Sequence, residues 1–217
     1  MNFIKTNLLS FIALLVMIAS SALLWDSLPD IIATDFDAQG EVRDSASKLQ
    51  VVLTAPLIYL LAIFLVNVLI RISPTKFSMP GSKRAMDIIV FGIGVMSTFI
   101  HLGLLLNNGD HEIFQRYFAF GMAAFLVITG NVFGKTERNF VIGIRLPWTI
   151  ASMSNWKATH RLAGILMVIS GLLLAAISLV YSHLWITVTL CVAPLLIPVL
   201  YSPIYYWRFE HGRETSD

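Results

Sequence analysis

Six stretches of this chain, at about 6–24, 50–70, 87–106, 117–134, 163–181 and 184–206, are apolar all round. Each is close to the ~20 mostly apolar residues that a helix needs to cross a bilayer. A backbone in lipid must satisfy its own N–H and C=O groups, which leaves only helices and closed barrels. No segment alternates polar and apolar residues over the length of a barrel strand, and uniform apolarity reads as helix. The expected fold is an all-α integral membrane protein, a bundle of six transmembrane helices. Composition agrees: of 217 residues, 57% are hydrophobic and 13% charged, about half the charge of an average soluble domain. A soluble domain could not hide so much apolar surface. A soluble globular enzyme and a disordered chain are both excluded. So is a disulfide scaffold, because Cys191 has no second cysteine to pair with.

The first span has features of a signal peptide: Lys5, an apolar run from Leu8 to Ile18, and small residues from Ala19 to Ala22. The run continues through Leu23, Leu24 and Trp25, however, and is long enough to span. It is expected to stay as an uncleaved anchor. Charge then sets orientation. Twelve of the 15 basic residues fall on one side of the six spans: Lys5; Arg71, Lys76, Lys83 and Arg84; Lys135, Arg138, Arg145, Lys157 and Arg161; Arg208 and Arg213. Arg43, Lys48 and Arg116 lie opposite, beside Asp26, Asp30, Asp35, Asp37, Glu41, Asp44, Asp110 and Glu112. By the positive-inside rule both termini are cytoplasmic. The net charge of +2 implies no direct nucleic-acid partner.

This layout divides the chain into three. Residues 1–70 form a two-helix unit with an acidic extracytoplasmic loop, 25–49. A basic cytoplasmic linker, 71–86, carries Pro74, Pro80 and Gly81. Residues 87–217 form a four-helix unit whose inner loop, 130–164, is basic and aromatic. No internal repeat points to an inverted-repeat transporter.

In the outer loop, Asp35, Asp37, Gln39, Gly40 and Glu41 resemble the start of a calcium loop, with oxygen ligands on alternate residues and a glycine for the turn. Ala46 stands where a bidentate Glu is needed. Asp35, Asp37 and Glu41 are therefore weak metal candidates, and no metal site is assigned. The favoured reading is a solvated loop in which Gly40 turns the chain and Asp side chains close Asx-turns.

The inner loop holds the densest constellation. Pro147 forces Leu146 out of helical geometry, and Thr149 or Ser152 is placed to cap a new helix. On that helix Trp156 and His160 share one face, continuing to Gly164, and Lys157 and Arg161 share the next. Arg145, Lys157, Arg161 and His160 are candidates to surround an anion: a lipid headgroup, a phosphate, or the carboxylates of a partner protein. Taken singly, the cations are topological determinants and Trp148 and Trp156 belong to an aromatic belt. A topological determinant needs charge alone, not so many Asn, Gly, Pro, Trp, Thr and His residues in one loop.

This segment resembles the signature of the SdpI family of bacterial membrane proteins, named for an immunity protein against a secreted killing toxin. The matching positions are Gly130, Asn131, Asn139, Gly143, Ile144, Arg145, Pro147, Trp148, Thr149, Trp156, Thr159, His160, Arg161 and Gly164. The outer loop resembles the family's N-terminal domain of unknown function through Leu28, Pro29, Thr34, Phe36, Gly40, Asp44 and Lys48. Asp35 stands where that pattern has His, and Asp37 where it has Asn. The resemblance implies a multi-pass protein of the bacterial inner membrane that binds rather than catalyses and needs no cofactor. Its implied partners are membrane lipids, a secreted peptide toxin on the outer face and an ArsR-type repressor on the cytoplasmic face. The candidate binding residues are the signature positions Asn131, Asn139, Arg145, Trp148, Thr149, Trp156, Thr159, His160 and Arg161, joined by Lys157, which shares the helix face of Arg161.

Two other functions are weighed. In a membrane enzyme acting on a lipid or envelope intermediate, His160 would serve as general acid/base and Arg145 or Arg161 would hold a phosphate. The sequence offers no nucleophile–base pair or metal-ligand set to complete such a site. A small-molecule or peptide transporter is the other alternative, and the spans carry no mid-depth charge to support it. Asn67 and His101 are their most polar residues, and His101, near the outer end of its span, is expected to reach the acidic outer surface. The fifth span carries a stripe of small residues, Gly164, Gly171, Ala175 and Ser178, suited to close helix packing. The sixth carries Pro194, Pro198 and Pro203, expected to bend it.

Overall fold

The structure, a computed structural model, describes residues 7–37, 39–72, 80–139 and 142–211. Among them are six helices long and apolar enough to cross a membrane. They are α1 (Leu8–Leu24), α2 (Lys48–Ile72), α3 (Pro80–Leu106), α4 (His111–Phe133), α6 (Met153–Ser178) and α7 (Leu184–Phe209), with a short α5 (Pro147–Ala151) preceding α6. The integral-membrane bundle read from the sequence is the fold observed. Lys5, Pro74, Lys76 and Arg213 lie outside the described residues. Alternation of the spans sets the α1–α2 and α3–α4 connections at one end of the bundle, the hairpin end. The α4–α6 connection lies at the other, the signature end.

Packing runs as a chain of neighbours: α3 against α4, α4 against α6, α6 against α7, with α1 and α2 laid more lightly on α3. Apolar side chains gain little by leaving lipid for another helix, so close association needs small residues that let backbones meet. The small-residue stripe of α6 supplies them. A Cβ on Gly164 would lie 2.7 Å from the Gly130 carbonyl oxygen, and one on Gly130 would lie 2.7 Å from that of Gly164. Further along the same face, Gly171 meets the Ala123 carbonyl in the same way. Tyr59 of α2, fully buried, reaches across to donate its hydroxyl to the Val90 carbonyl of α3 at 3.1 Å.

The acidic outer loop is more ordered than its reading as a solvated loop suggests. It forms an antiparallel hairpin of β1 (Ile31–Phe36) and β2 (Val42–Ser47). A strand pair this short is marginal alone, and it is held by what it touches. Ile32 is buried with Leu28, Val51 and Leu105. Asn107, in the α3–α4 turn, donates to the Ala33 carbonyl at 3.1 Å. Phe36 packs on Phe114, with ring centroids 5.9 Å apart. At the tip, Gly40 adopts φ +87°, and the Asp37 carboxylate accepts the N–H groups of Gln39 and Glu41, both at 2.9 Å. This is the Asx-turn expected. Asp35 pairs instead with Arg43 at 3.0 Å.

One expectation is corrected. His101 does not reach the outer surface; it is fully buried, and its Nε2 lies 2.7 Å from the hydroxyl of Ser21 on α1. Its helical phase turns it toward α1, where the small Ser21 leaves room for the ring. Asn67 likewise finds a partner at the start of α1, donating to the side chain of Asn7, the residue just before the helix, at 3.2 Å.

Replacing Gly164 with Ala forces the α4 and α6 backbones apart at their tightest contact. The expected loss is about 1–3 kcal/mol of stability, read as a lowered thermal midpoint of the detergent-solubilised protein. Ile165→Ala, on the exposed lipid side of the same helix, is expected to leave the midpoint nearly unchanged.

Candidate functional site

The signature loop leaves α4 at Gly134, and local chemistry fixes its path. Thr136 donates its hydroxyl to the Phe133 carbonyl at 2.8 Å. Asn139 accepts the Ile142 N–H at 2.7 Å and donates to the Glu137 carbonyl at 2.8 Å. Leu146 is extended at φ −106°, ψ 157°, as the following proline requires, and Pro147 opens α5. Thr149 is not the N-cap of a long helix. Its hydroxyl accepts the Leu146 N–H at 2.9 Å and lies 2.8 Å from the Ile144 carbonyl, folding the turn onto α5. Ser152 is the cap of α6, accepting the Asn155 N–H at 3.2 Å.

Trp156 and His160 make the centre of the site, and both are fully buried. Their rings stack with centroids 4.0 Å apart, and the Phe133 ring centroid lies 5.1 Å from that of the imidazole. The Trp156 indole donates to the Thr136 carbonyl at 2.8 Å. His160 Nε2 accepts the Ile144 N–H at 2.9 Å, and its Nδ1 lies 2.8 Å from the Trp156 carbonyl. An N–H donor at Nε2 and a carbonyl acceptor at Nδ1 require the neutral imidazole with its proton on Nδ1. Gly143 closes over this pair at φ +133°, where a Cβ would lie 2.5 Å from His160 Nε2. Only glycine satisfies both the dihedral and the approach.

A second buried network joins α6 to α7. Asn155 donates to the Ser202 carbonyl at 3.0 Å, and its Oδ1 accepts the hydroxyls of Ser202 at 2.8 Å and Thr159 at 3.0 Å. At the loop's edge, Ser152 and Ser154 both donate to the Glu210 carboxylate just past the end of α7. Arg138 ties the loop to the Ile150 carbonyl.

The residues singled out in the sequence thus separate into two groups. Thr149, Trp156, Thr159 and His160 are fully buried and bonded within the chain, Asn139 is buried in the loop, and Trp148 is half-buried on α5. Asn131, Arg145, Lys157 and Arg161 are exposed. The three cations have no ion-pair partner among the described residues. The Ile144–His160 bond brings the Arg145 backbone to the turn of α6 that carries Arg161. Asn155, Ser202 and Glu210 join the site from outside the sequence pattern. The spacing of Asn155 and Thr159, four apart on one face, is the available signal for the first. The contributions of Ser202 and Glu210 come from a remote helix and have none.

Comparison with known proteins covers both parts of this geometry. The SdpI/YfhL protein family model matches residues 135–202, from the loop through most of α7. The domain of unknown function DUF1648 matches residues 12–60, which include most of α1, the hairpin and the first half of α2. The immunity protein SdpI of Bacillus subtilis (strain 168) is 25% identical over 218 residues, covering 96% of this chain and 100% of the relative. No solved structure matches. The resemblance to the SdpI family is borne out at both the signature and the outer loop.

Replacing His160 with Phe keeps the ring stack but leaves the Ile144 N–H and the Trp156 carbonyl without their partner. The expected loss is about 1–3 kcal/mol, with faster hydrogen exchange at Ile144. Nitrogen NMR of the labelled histidine in the wild type should show the Nδ1–H tautomer; an Nε2–H signal would contradict the bonding pattern.

Proposed function

We propose that this chain is an SdpI-like immunity and signalling protein of the bacterial cytoplasmic membrane, acting by binding rather than catalysis. Both termini are cytoplasmic in this reading. The outer face meets a secreted antimicrobial peptide toxin, and the signature end faces an ArsR-type repressor. One observation carries the proposal: the likeness to an immunity protein runs through 96% of the chain, and the signature pattern that this likeness contains is interlocked around Trp156 and His160.

The geometry favours binding over acid–base chemistry at this place. A general acid or base must reach its substrate's proton. His160 has both ring nitrogens engaged within the chain, beneath the loop. The exposed Arg145, Lys157 and Arg161 are among the side chains here able to meet carboxylates or phosphates from outside. Arginine forks bind such planar or tetrahedral anions in two-point contacts. The buried pair shapes the platform, and the cations meet the partner.

The test is survival of toxin-sensitive bacteria expressing the chain and challenged with the killing peptide of the founding system. Wild type is expected to protect. Arg145→Ala is expected to lose protection or membrane recruitment of the repressor at unchanged membrane levels. His160→Ala is expected to lose function together with stability. No protection by well-expressed wild type would overturn the immunity reading, and full function in Arg145→Ala would overturn the assignment of the cation.

A further inference from the structure

α1 and α2 are clasped at the signature end. There the Asn67 side chain donates to Asn7 at 3.2 Å and to the Ile63 carbonyl at 2.8 Å. Beside this clasp lies a groove of about 720 Å³, with Phe11 on one wall and Leu57, Leu60, Phe64, Asn67 and Arg71 among the residues of the other. A second groove of about 640 Å³ shares Leu57 and Leu60 and continues past Leu14 and Ile18 to Trp25. Together they form one furrow that faces the lipid.

The lining changes character along its length in a way that names an occupant. From Leu57 to Arg71 is about 21 Å of helix, longer than one leaflet of a ~30 Å hydrocarbon core. All of that length is apolar up to Asn67 and Arg71, which stand one turn apart at the mouth. Arg71 is exposed, lies in the last turn of α2, and has no ion-pair partner among the described residues. Its apolar stem can line the groove while its guanidinium sits at headgroup level. A neutral acyl chain accounts for the apolar length but needs no cation at the mouth. A chain with an anionic phosphate at its end satisfies both parts.

We propose that the α1–α2 furrow is a binding site for an anionic phospholipid, its phosphate held by Arg71 and one acyl chain lying along Leu57, Leu60 and Phe64. A cation at the mouth of a crevice between transmembrane helices is suited to such a headgroup. The proposal is independent of toxin or repressor binding.

The test is native mass spectrometry of the full chain in detergent, supplied with phosphatidylglycerol or phosphatidylcholine of matched acyl chains. Wild type is expected to retain phosphatidylglycerol preferentially. Arg71→Ala should reduce that preference about fivefold, the effect of one cation near the surface. Arg84→Ala, an exposed cation at the same end but off the furrow, should leave it unchanged. Leu60→Trp, which fills the furrow without touching charge, should reduce retention of both lipids, and it serves as the deciding variant if Arg71→Ala does not fold. Equal retention of the two lipids by wild type would overturn the proposal. So would equal losses from Arg71→Ala and Arg84→Ala, or a lipid-free dimer dissolved by Leu60→Trp, which would assign the furrow to a second copy.

Discussion

Lipid gives apolar helices no reason to leave it for one another, and that constraint shapes the molecule. What holds such a bundle is backbone approach and buried polar bonding. The structure concentrates both along α4, α6 and α7. Gly130 and Gly164 bring two backbones to the point where neither position accepts a methyl group. That contact sets the spacing from which Phe133 and His160 stack, and it leaves a Cβ on Gly134 only 3.1 Å from the Arg161 Cα. The signature loop is the strap over this crossing, and the hydrogen bonds it makes to α6 are available only because the two helices already stand so close.

The family pattern is in this sense largely an architectural specification. Gly143 is demanded by the rings beneath it, Pro147 by the turn into α5, Thr149 by the Leu146 N–H, and Asn139 by the bend after α4. Polar residues at a membrane interface suggest ligands when met in sequence alone. Most of these are instead spent on the loop's own backbone, which a loop without regular structure must satisfy if it is to lie buried. The cations remain on the surface, where chemistry with other molecules is open to them.

The six spans are legible in the sequence because length and uniform apolarity are local signals that need no partner. So are the Ser152 cap, the Asx-turn at Asp37 and the small-residue face of α6, each specified by a few neighbouring residues. Contacts between distant residues are not legible. The hairpin reads as a solvated loop because its order depends on Asn107 and Phe114, more than seventy residues away. Depth alone sends His101 to the outer surface, while its surroundings are set by Ser21 on α1. Apolarity alone starts the fifth span at 163, but the Ser152 cap and the shared face of Trp156 and His160 already mark the helix's polar first turns, and the observed helix begins at Met153.

The two halves of the bundle are braced differently. At the signature end α6 and α7 are laced by Asn155, Ser202 and Glu210, and α4 and α6 are locked backbone to backbone. α1 and α2 are joined by an amide clasp at one end, with an open furrow beyond it. The protein is therefore graded in stiffness across the membrane plane. When a bilayer thickens, thins or comes under lateral tension, helices adjust by tilting, and the strain flows to the compliant pair. The hairpin joins those two helices but is also tied to the stiffer half through Asn107 and Phe114, so tilting of the pair loads these contacts while the signature end holds its shape.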